Sequence, residues 1–428
     1  MSEKTGFNTV AIHSGAQPDP STGARATPIY QTSSYVFENT DHAADLFAGR
    51  AFGNIYTRIM NPTQDVLEKR VAELEGGKGA LALASGHAAQ LIALHPLMSA
   101  GDEFIASNKL YGGSINQFNH SFKKFNWNVS WAEANDTDDY KSKINDKTKA
   151  IFIESIANPG GIITDIEAIA KVAEEHHLPL IVDNTMATPY LCKPLDFGAN
   201  IVVHSLTKFL GGQGNSIGGI IVDGGNFDWS MDDKYPDLSQ PHPSYHGLNF
   251  HETFGGMGLS YAIACRFLSL RDLGPAISPF NAFLILNGIE TVALRMKQHS
   301  NNALEVAKYL EKHDKVSWVH YAGLPNSDYR KHADKYCPNG TGAVFTFGLK
   351  GGYDAGVKLV NEVNLFSHLA NIGDAKSLII HPSSTTHSQL TDEQQKLAGA
   401  SKDVVRLSVG IEDISDIIGD LEQALSKI

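Results

Sequence analysis

The chain has 428 residues, of which 42% are hydrophobic and 19% charged. That is too apolar for a disordered chain and supplies a large core, spread over roughly two to three domains of about 150 residues. Lys and Arg number 35 against 47 Asp and Glu, a net charge of −12, which excludes a general nucleic-acid surface but allows a local cationic pocket.

Residues 1–62 are rich in Thr, Ser, Pro and Asn and weakly periodic, which reads as an arm wrapping a neighbour. From Thr63 the pattern is regular. Val66, Leu67, Val71 and Leu74 recur at helical spacing, so 66–74 is expected to be a helix. Strands are expected at 80–84, 103–106, 127–131, 150–153, 178–182, 201–203 and 217–222, with helices at 87–98 and 165–176, the latter capped by Asp165. Such alternation predicts βαβ units and a mostly parallel buried sheet, an α/β domain over 63–277. A long helical region at 278–313, interrupted near Asn287 and Gly288, leads into a smaller α+β domain that ends at 428. Its strands are expected at 316–321, 342–349 and 404–409, its helices at 353–363 and 414–426.

Only Cys192, Cys265 and Cys337 occur, with no paired spacing, so a reducing compartment fits and a disulfide framework does not. Residues 1–15 lack an apolar block behind a basic head, and no apolar run approaches the ~18 residues of a membrane span. A cytoplasmic protein is expected, with neither membrane nor nucleic acid as partner.

In open parallel sheets, ligands bind beyond the carboxyl ends of the strands. Those positions hold Ser85-Gly86-His87, Tyr111-Gly112-Gly113, Glu154 with Asn158-Pro159, Asp183-Asn184-Thr185, and Ser205 to Lys208. One edge therefore offers a lysine, a carboxylate, hydroxyls, an aromatic ring and a Gly-containing helix start. Pyridoxal 5'-phosphate needs a lysine for its Schiff base, an acidic partner for its ring nitrogen, and backbone N–H groups for its phosphate. Any one of these residues alone reads more simply as a cap, a surface cation or a core ring; their joint placement is what points to chemistry. The scattered His residues show no metal-ligand spacing, and Gly211-Gly212-Gln213-Gly214 follows the lysine rather than a strand. Loop flexibility near the site is the simpler reading of those glycines.

The stretch IVDNTMATPYLCKPLDFGANIVVHSLTKFLGG resembles the lysine-bearing signature of the Cys/Met metabolism family of pyridoxal-phosphate enzymes. YTRIMNPT, ASGHAA, YGG, ESIANPGG and RLSVGIED extend the resemblance over nearly the whole chain. It implies a type I, aspartate-aminotransferase-like fold and a homotetramer of tight dimers. It further implies that Lys208 carries the Schiff base, Asp183 pairs with the pyridine nitrogen and Tyr111 stacks on the ring. Ser85, Gly86, His87, Ser205 and Thr207 would surround the phosphate, with Tyr56 and Arg58 reaching it from the neighbouring subunit. Arg406 would grip the substrate α-carboxylate, Asn158 would touch the cofactor's ring oxygen or that carboxylate, and Ser377 would line the pocket near Lys208.

Within the family, the segment Asn371-Ile372-Gly373-Asp374-Ala375-Lys376-Ser377-Leu378 is similar to the O-acetylhomoserine sulfhydrylases, as are the chain length and residues 245–266. The implied reaction is replacement of the acetyl group of O-acetyl-L-homoserine by sulfide or a small thiol. A methionine or cystathionine γ-lyase, or an O-succinylhomoserine-dependent synthase, is the competing expectation.

Overall fold

The computed structural model describes residues 5–158, 161–389 and 391–428. Pro159 and Gly160 of the ESIANPGG motif lie outside the described residues, as do 1–4.

Seven strands form the central sheet: β1 (Gly79–Leu83), β2 (Glu103–Ser107), β3 (Asn128–Ala132), β4 (Thr148–Glu154), β5 (Leu180–Asp183), β6 (Ile201–Ser205) and β7 (Gly219–Asp223). Their order is β1-β7-β6-β5-β4-β2-β3. β3, β2, β4, β5 and β6 run parallel, and β7 pairs antiparallel with both β6 and β1. Alternate residues feed two cores. Ile151, Ile153, Leu180, Val182 and Val202 pack on one face; Ala150, Phe152, Ile181, Ile201 and Val203 pack on the other. Burial on both faces is why these strands read as unbroken apolar runs rather than alternating ones.

Helices cover the sheet where expected, with shifts that caps explain. The helix at Pro62–Glu75 starts four residues before its first apolar pair, because the Asn61 side chain accepts from the Thr63 N–H and Pro62 pre-sets the first turn. The helix Ile166–Glu175 is capped by Asp165, as its sequence predicts.

Two differences have clear causes. The amino-terminal segment is not wholly an arm. The helix Phe7–His13 buries Val10 and Ala11, and the buried Arg70 donates to the Ser14 carbonyl at 3.0 Å, tying this end to the core. Beyond it, Val36, Phe47 and Phe52 stand exposed. The long helical region breaks at Thr291, between helices Pro279–Glu290 and Val292–Glu311, not at Gly288. Gly288 is a packing residue: a Cβ there would come within 2.0 Å of the Gly211 carbonyl oxygen.

The second sheet holds β8 (Val316–His320), β9 (Val344–Leu349), β10 (Ser367–His368), β11 (Leu378–Ile380) and β12 (Val404–Ser408), ordered β10-β11-β12-β9-β8. The helices Gly352–Glu362 and Ile414–Leu425 pack on it. β10 and β11 were not anticipated, being too short to show a period. Among the described residues no helix is long and apolar enough to cross a membrane.

Candidate active site

The carboxyl ends of β4, β5 and β6 open into a cavity of about 1210 Å³ between the two sheets. Ser85, Gly86, His87, Tyr111, Asn158, Asp183, Ser205, Thr207, Lys208 and Arg406 all line it. Chain segments more than 300 residues apart in sequence are thus brought to one space.

The anion-binding corner is built from helix and strand contacts. Ser85 caps the helix Gly86–Leu94, its Oγ accepting from the Ala88 N–H at 3.1 Å. The first N–H groups of that helix are left to face an anion, with the helix dipole behind them. Gly86 is obligatory here: a Cβ would sit 2.7 Å from the Ser205 Cβ. The Ser205 N–H is held by the Thr185 hydroxyl at 2.8 Å, and the Thr207 hydroxyl exchanges hydrogen bonds with Gly218.

Asp183 ends β5. Its carboxylate accepts from the Thr185 N–H at 3.0 Å and from the Gln90 side chain at 3.4 Å. Tyr111 stands at the mouth, 46% exposed, with its ring edge-on to His87 at 6.0 Å between centroids. The second glycine of the YGG motif accommodates that ring, since a Cβ on Gly113 would fall 2.3 Å from it.

Lys208 Nζ donates to the Asn371 side-chain oxygen. Burial, and secondarily the Arg406 guanidinium, pull its amine down to about 8. The neutral amine is therefore accessible near physiological pH. Arg406, on β12, donates to the Asn158 side chain at 3.4 Å and to the Asn371 carbonyl at 3.3 Å. Burial lowers its guanidinium to about 10, still cationic at neutral pH. Both contacts are long, so a carboxylate presented to the same fork would bind better.

Ser377 is not where the resemblance placed it. It is fully buried, donates to the Glu412 carboxylate at 2.9 Å and accepts from the Gly410 N–H at 2.8 Å, so it does not line the cavity. Asn371, six positions earlier, is the residue that reaches Lys208, because Gly373 (φ +74) folds the segment onto the Lys208 backbone. Tyr56 and Arg58, expected to serve a neighbouring subunit's site, lie away from this chain's own cavity. They line a separate surface cleft with Gly274 and Ala276, Arg58 stacking over Tyr56 at 5.5 Å.

The glycines after Lys208 are packing residues rather than a flexible loop. Gly211 abuts Gly288, and a Cβ on Gly212 would strike the Arg295 guanidinium. Arg295 is 5% exposed and donates to the Phe209 carbonyl at 2.7 Å and the Gly288 carbonyl at 2.6 Å. It locks the turn that carries Lys208. Neither Asn371 nor Arg295 could be placed from sequence, since each reaches Lys208 or its turn only through the fold.

A family model described as Cys/Met metabolism PLP-dependent enzyme matches residues 8–426. The chain belongs to that family. As a Cys/Met metabolism PLP-dependent enzyme it is 53% identical over 427 residues to an O-acetyl-L-homoserine sulfhydrylase of Leptospira meyeri, covering 98% of this chain and 96% of that one. It is 50% identical to a homocysteine synthase of Schizosaccharomyces pombe, covering 99% of each chain. A Campylobacter jejuni protein assigned as an O-acetylhomoserine (thiol)-lyase, solved with N'-pyridoxyl-lysine-5'-monophosphate, superposes with a TM-score of 0.94 at 40% identity, over 99% of this chain and 100% of that one. The fold is accordingly the type I fold of pyridoxal-phosphate enzymes, and the cofactor is pyridoxal 5'-phosphate.

The residues present fit that cofactor. The cavity holds a half-buried amine of lowered basicity, a carboxylate at a neighbouring strand end, an exposed ring and a helix N-terminus that no Cβ blocks. A consequence is measurable in the family's cofactor-free form. Only a neutral amine attacks the cofactor aldehyde, so loading should accelerate as pH rises and level off near pH 8, not near pH 10.5. Stopped-flow absorbance across pH 6 to 10 checks this; a rate still climbing tenfold per unit above pH 9 refutes it.

Proposed function

We propose that the protein replaces the acetyl group of O-acetyl-L-homoserine by sulfide, or by a small thiol, releasing acetate and L-homocysteine, or methionine. The reading is carried by one observation: the Lys208 amine, the Arg406 guanidinium and the Asp183 carboxylate converge on a single cavity. The choice of substrate is supported by the names of the Leptospira meyeri and Schizosaccharomyces pombe relatives.

Arg406 receives the substrate α-carboxylate with two N–H donors and so fixes the direction of the Cα–H bond. Lys208 would hold the cofactor as a Schiff base, and its free amine takes the proton from Cα and returns protons later in the cycle. Bound pyridoxal 5'-phosphate would supply a pyridinium ring as the sink for the electron pair left at Cα. Asp183 would keep a proton on that ring nitrogen, and Tyr111 would cover the ring face. Asn371 steadies the Lys208 amine between transfers. A second proton leaves Cβ, and the pair left there expels acetate from Cγ with its bonding pair; the sulfur nucleophile then bonds to Cγ and the protons return to Cβ and Cα.

We read Tyr56 and Arg58 as serving the phosphate of a neighbouring subunit in a tetramer of tight dimers. Their distance from this chain's own cavity and the apolar exposure of Val36 and Phe52 support that. The chain is read as three working parts: an arm at 1–62 whose first helix is anchored on the core, a cofactor domain at 63–277, and a linking helix with the smaller domain at 278–428. We place the reaction in the cytoplasm, which three buried free cysteines suit.

The test is product analysis with O-acetyl-L-homoserine, with and without sulfide. Homocysteine and acetate should form in equal amounts only when sulfide is present. Release of 2-oxobutanoate and ammonia at the same rate without sulfide would overturn the reading.

A further inference from the structure

Tyr111 and Asn158 come from different loops, yet one side chain holds both. Glu154 ends β4 and is the register partner of Asp183 on β5. It is 4% exposed. One carboxyl oxygen accepts the Tyr111 N–H at 2.7 Å and the other accepts the Asn158 N–H at 3.0 Å.

We propose that Glu154 is a positioning residue that sets the stacking ring of Tyr111 and the polar side chain of Asn158 at a common spacing across the cofactor position, as a fork with one oxygen for each loop. The claim rests on the cofactor site described above and goes beyond it, since Glu154 acts through its neighbours and needs no contact with substrate.

The chemistry demands a carboxyl of this length. A carboxylate accepts on both oxygens; an amide accepts on one and presents N–H₂ to the other N–H. A shorter acid cannot span both loops. Burial and the adjacent Asp183 charge make this an expensive place for a carboxyl, raising Glu154 well above the ordinary range against the pull of the two N–H groups. A buried acid beside another acid is a poor choice for packing alone, and the two loops it joins give it a purpose.

The experiment compares holoenzyme forms. Glu154→Gln should fold with a modest loss of thermal stability in its cofactor-free form, lose most of the visible circular-dichroism signal that reports ring orientation, and in addition raise the cofactor dissociation constant on the order of tenfold as the Tyr111 ring and Asn158 lose their common spacing. Glu154→Asp should behave alike, because reach rather than charge is missing; should the Gln variant not fold, the Asp variant carries the same measurement. In a Tyr111→Ala background the Glu154→Gln effect should shrink, since the ring it positions is gone and only the Asn158 arm remains. An unchanged circular-dichroism band, full rescue by Asp, or an undiminished effect in the Tyr111→Ala background would each overturn the proposal. A wild-type protein showing no cofactor band would overturn the site reading as well, an outcome distinct from the other three.

Discussion

Lys208→Ala eliminates the visible absorption of the bound cofactor and lowers sulfide-dependent homocysteine formation on the order of 10⁴-fold or more. Alanine removes both the covalent attachment and the proton carrier, so the two losses come together. Two histidines of the cavity lining, His87 and His387, are poor substitutes. His87 sits edge-on to Tyr111, and burial first and the Arg406 charge second lower the basicity of His387. Folding should survive, because the surrounding turn is fixed by Arg295 through backbone carbonyls and not by the lysine. Steady-state assays with an absorption spectrum of the same sample decide it. Activity within tenfold of wild type would end the proposed chemistry.

Arg406→Ala should raise the KM for O-acetyl-L-homoserine roughly a hundredfold, the worth of two charge-assisted hydrogen bonds, while the KM for sulfide stays within about threefold. The asymmetry is the informative part. Sulfide carries no carboxylate, so a general loosening of the site would move both constants. Arg406→Lys should recover little, because a single ammonium cannot reproduce the planar fork. The variant carries a second signature. The Arg406 charge contributes to holding the Lys208 amine at about 8, so its removal should shift the pH midpoint of cofactor loading upward. Burial remains the larger cause, so the midpoint should stay below the ordinary lysine range. Equal changes in both KM values would assign the carboxylate to another cation.

The contrast between Ser377 and Asn371 shows where sequence reading loses its hold. Both lie in the segment 371–378, and the resemblance pointed to the serine. The backbone turn at Gly373 sends Ser377 toward Glu412 and Asn371 toward Lys208. A one-dimensional motif records residue types in order, but not which of two neighbours a positive-φ turn will aim inward. The glycines at 211, 212 and 288 tell the same story. Their spacing reads as a loop and a helix break; their true partners, Arg295 and one another, are about 80 residues away in the chain or across a helix packing surface.

By itself the sequence placed the apolar strands of the central sheet and many of the helices along the chain, and the set Ser85, Tyr111, Asp183 and Lys208 at strand ends. These follow from local rules: buried parallel strands are uniformly apolar, helices begin at caps, and ligands collect beyond carboxyl ends. Only the tertiary structure decided that Asn371 holds the lysine, that Arg295 locks its turn and that Glu154 joins two loops. Those are contacts between segments distant in sequence, and no periodicity or spacing encodes them, because their geometry exists only once both sheets have packed.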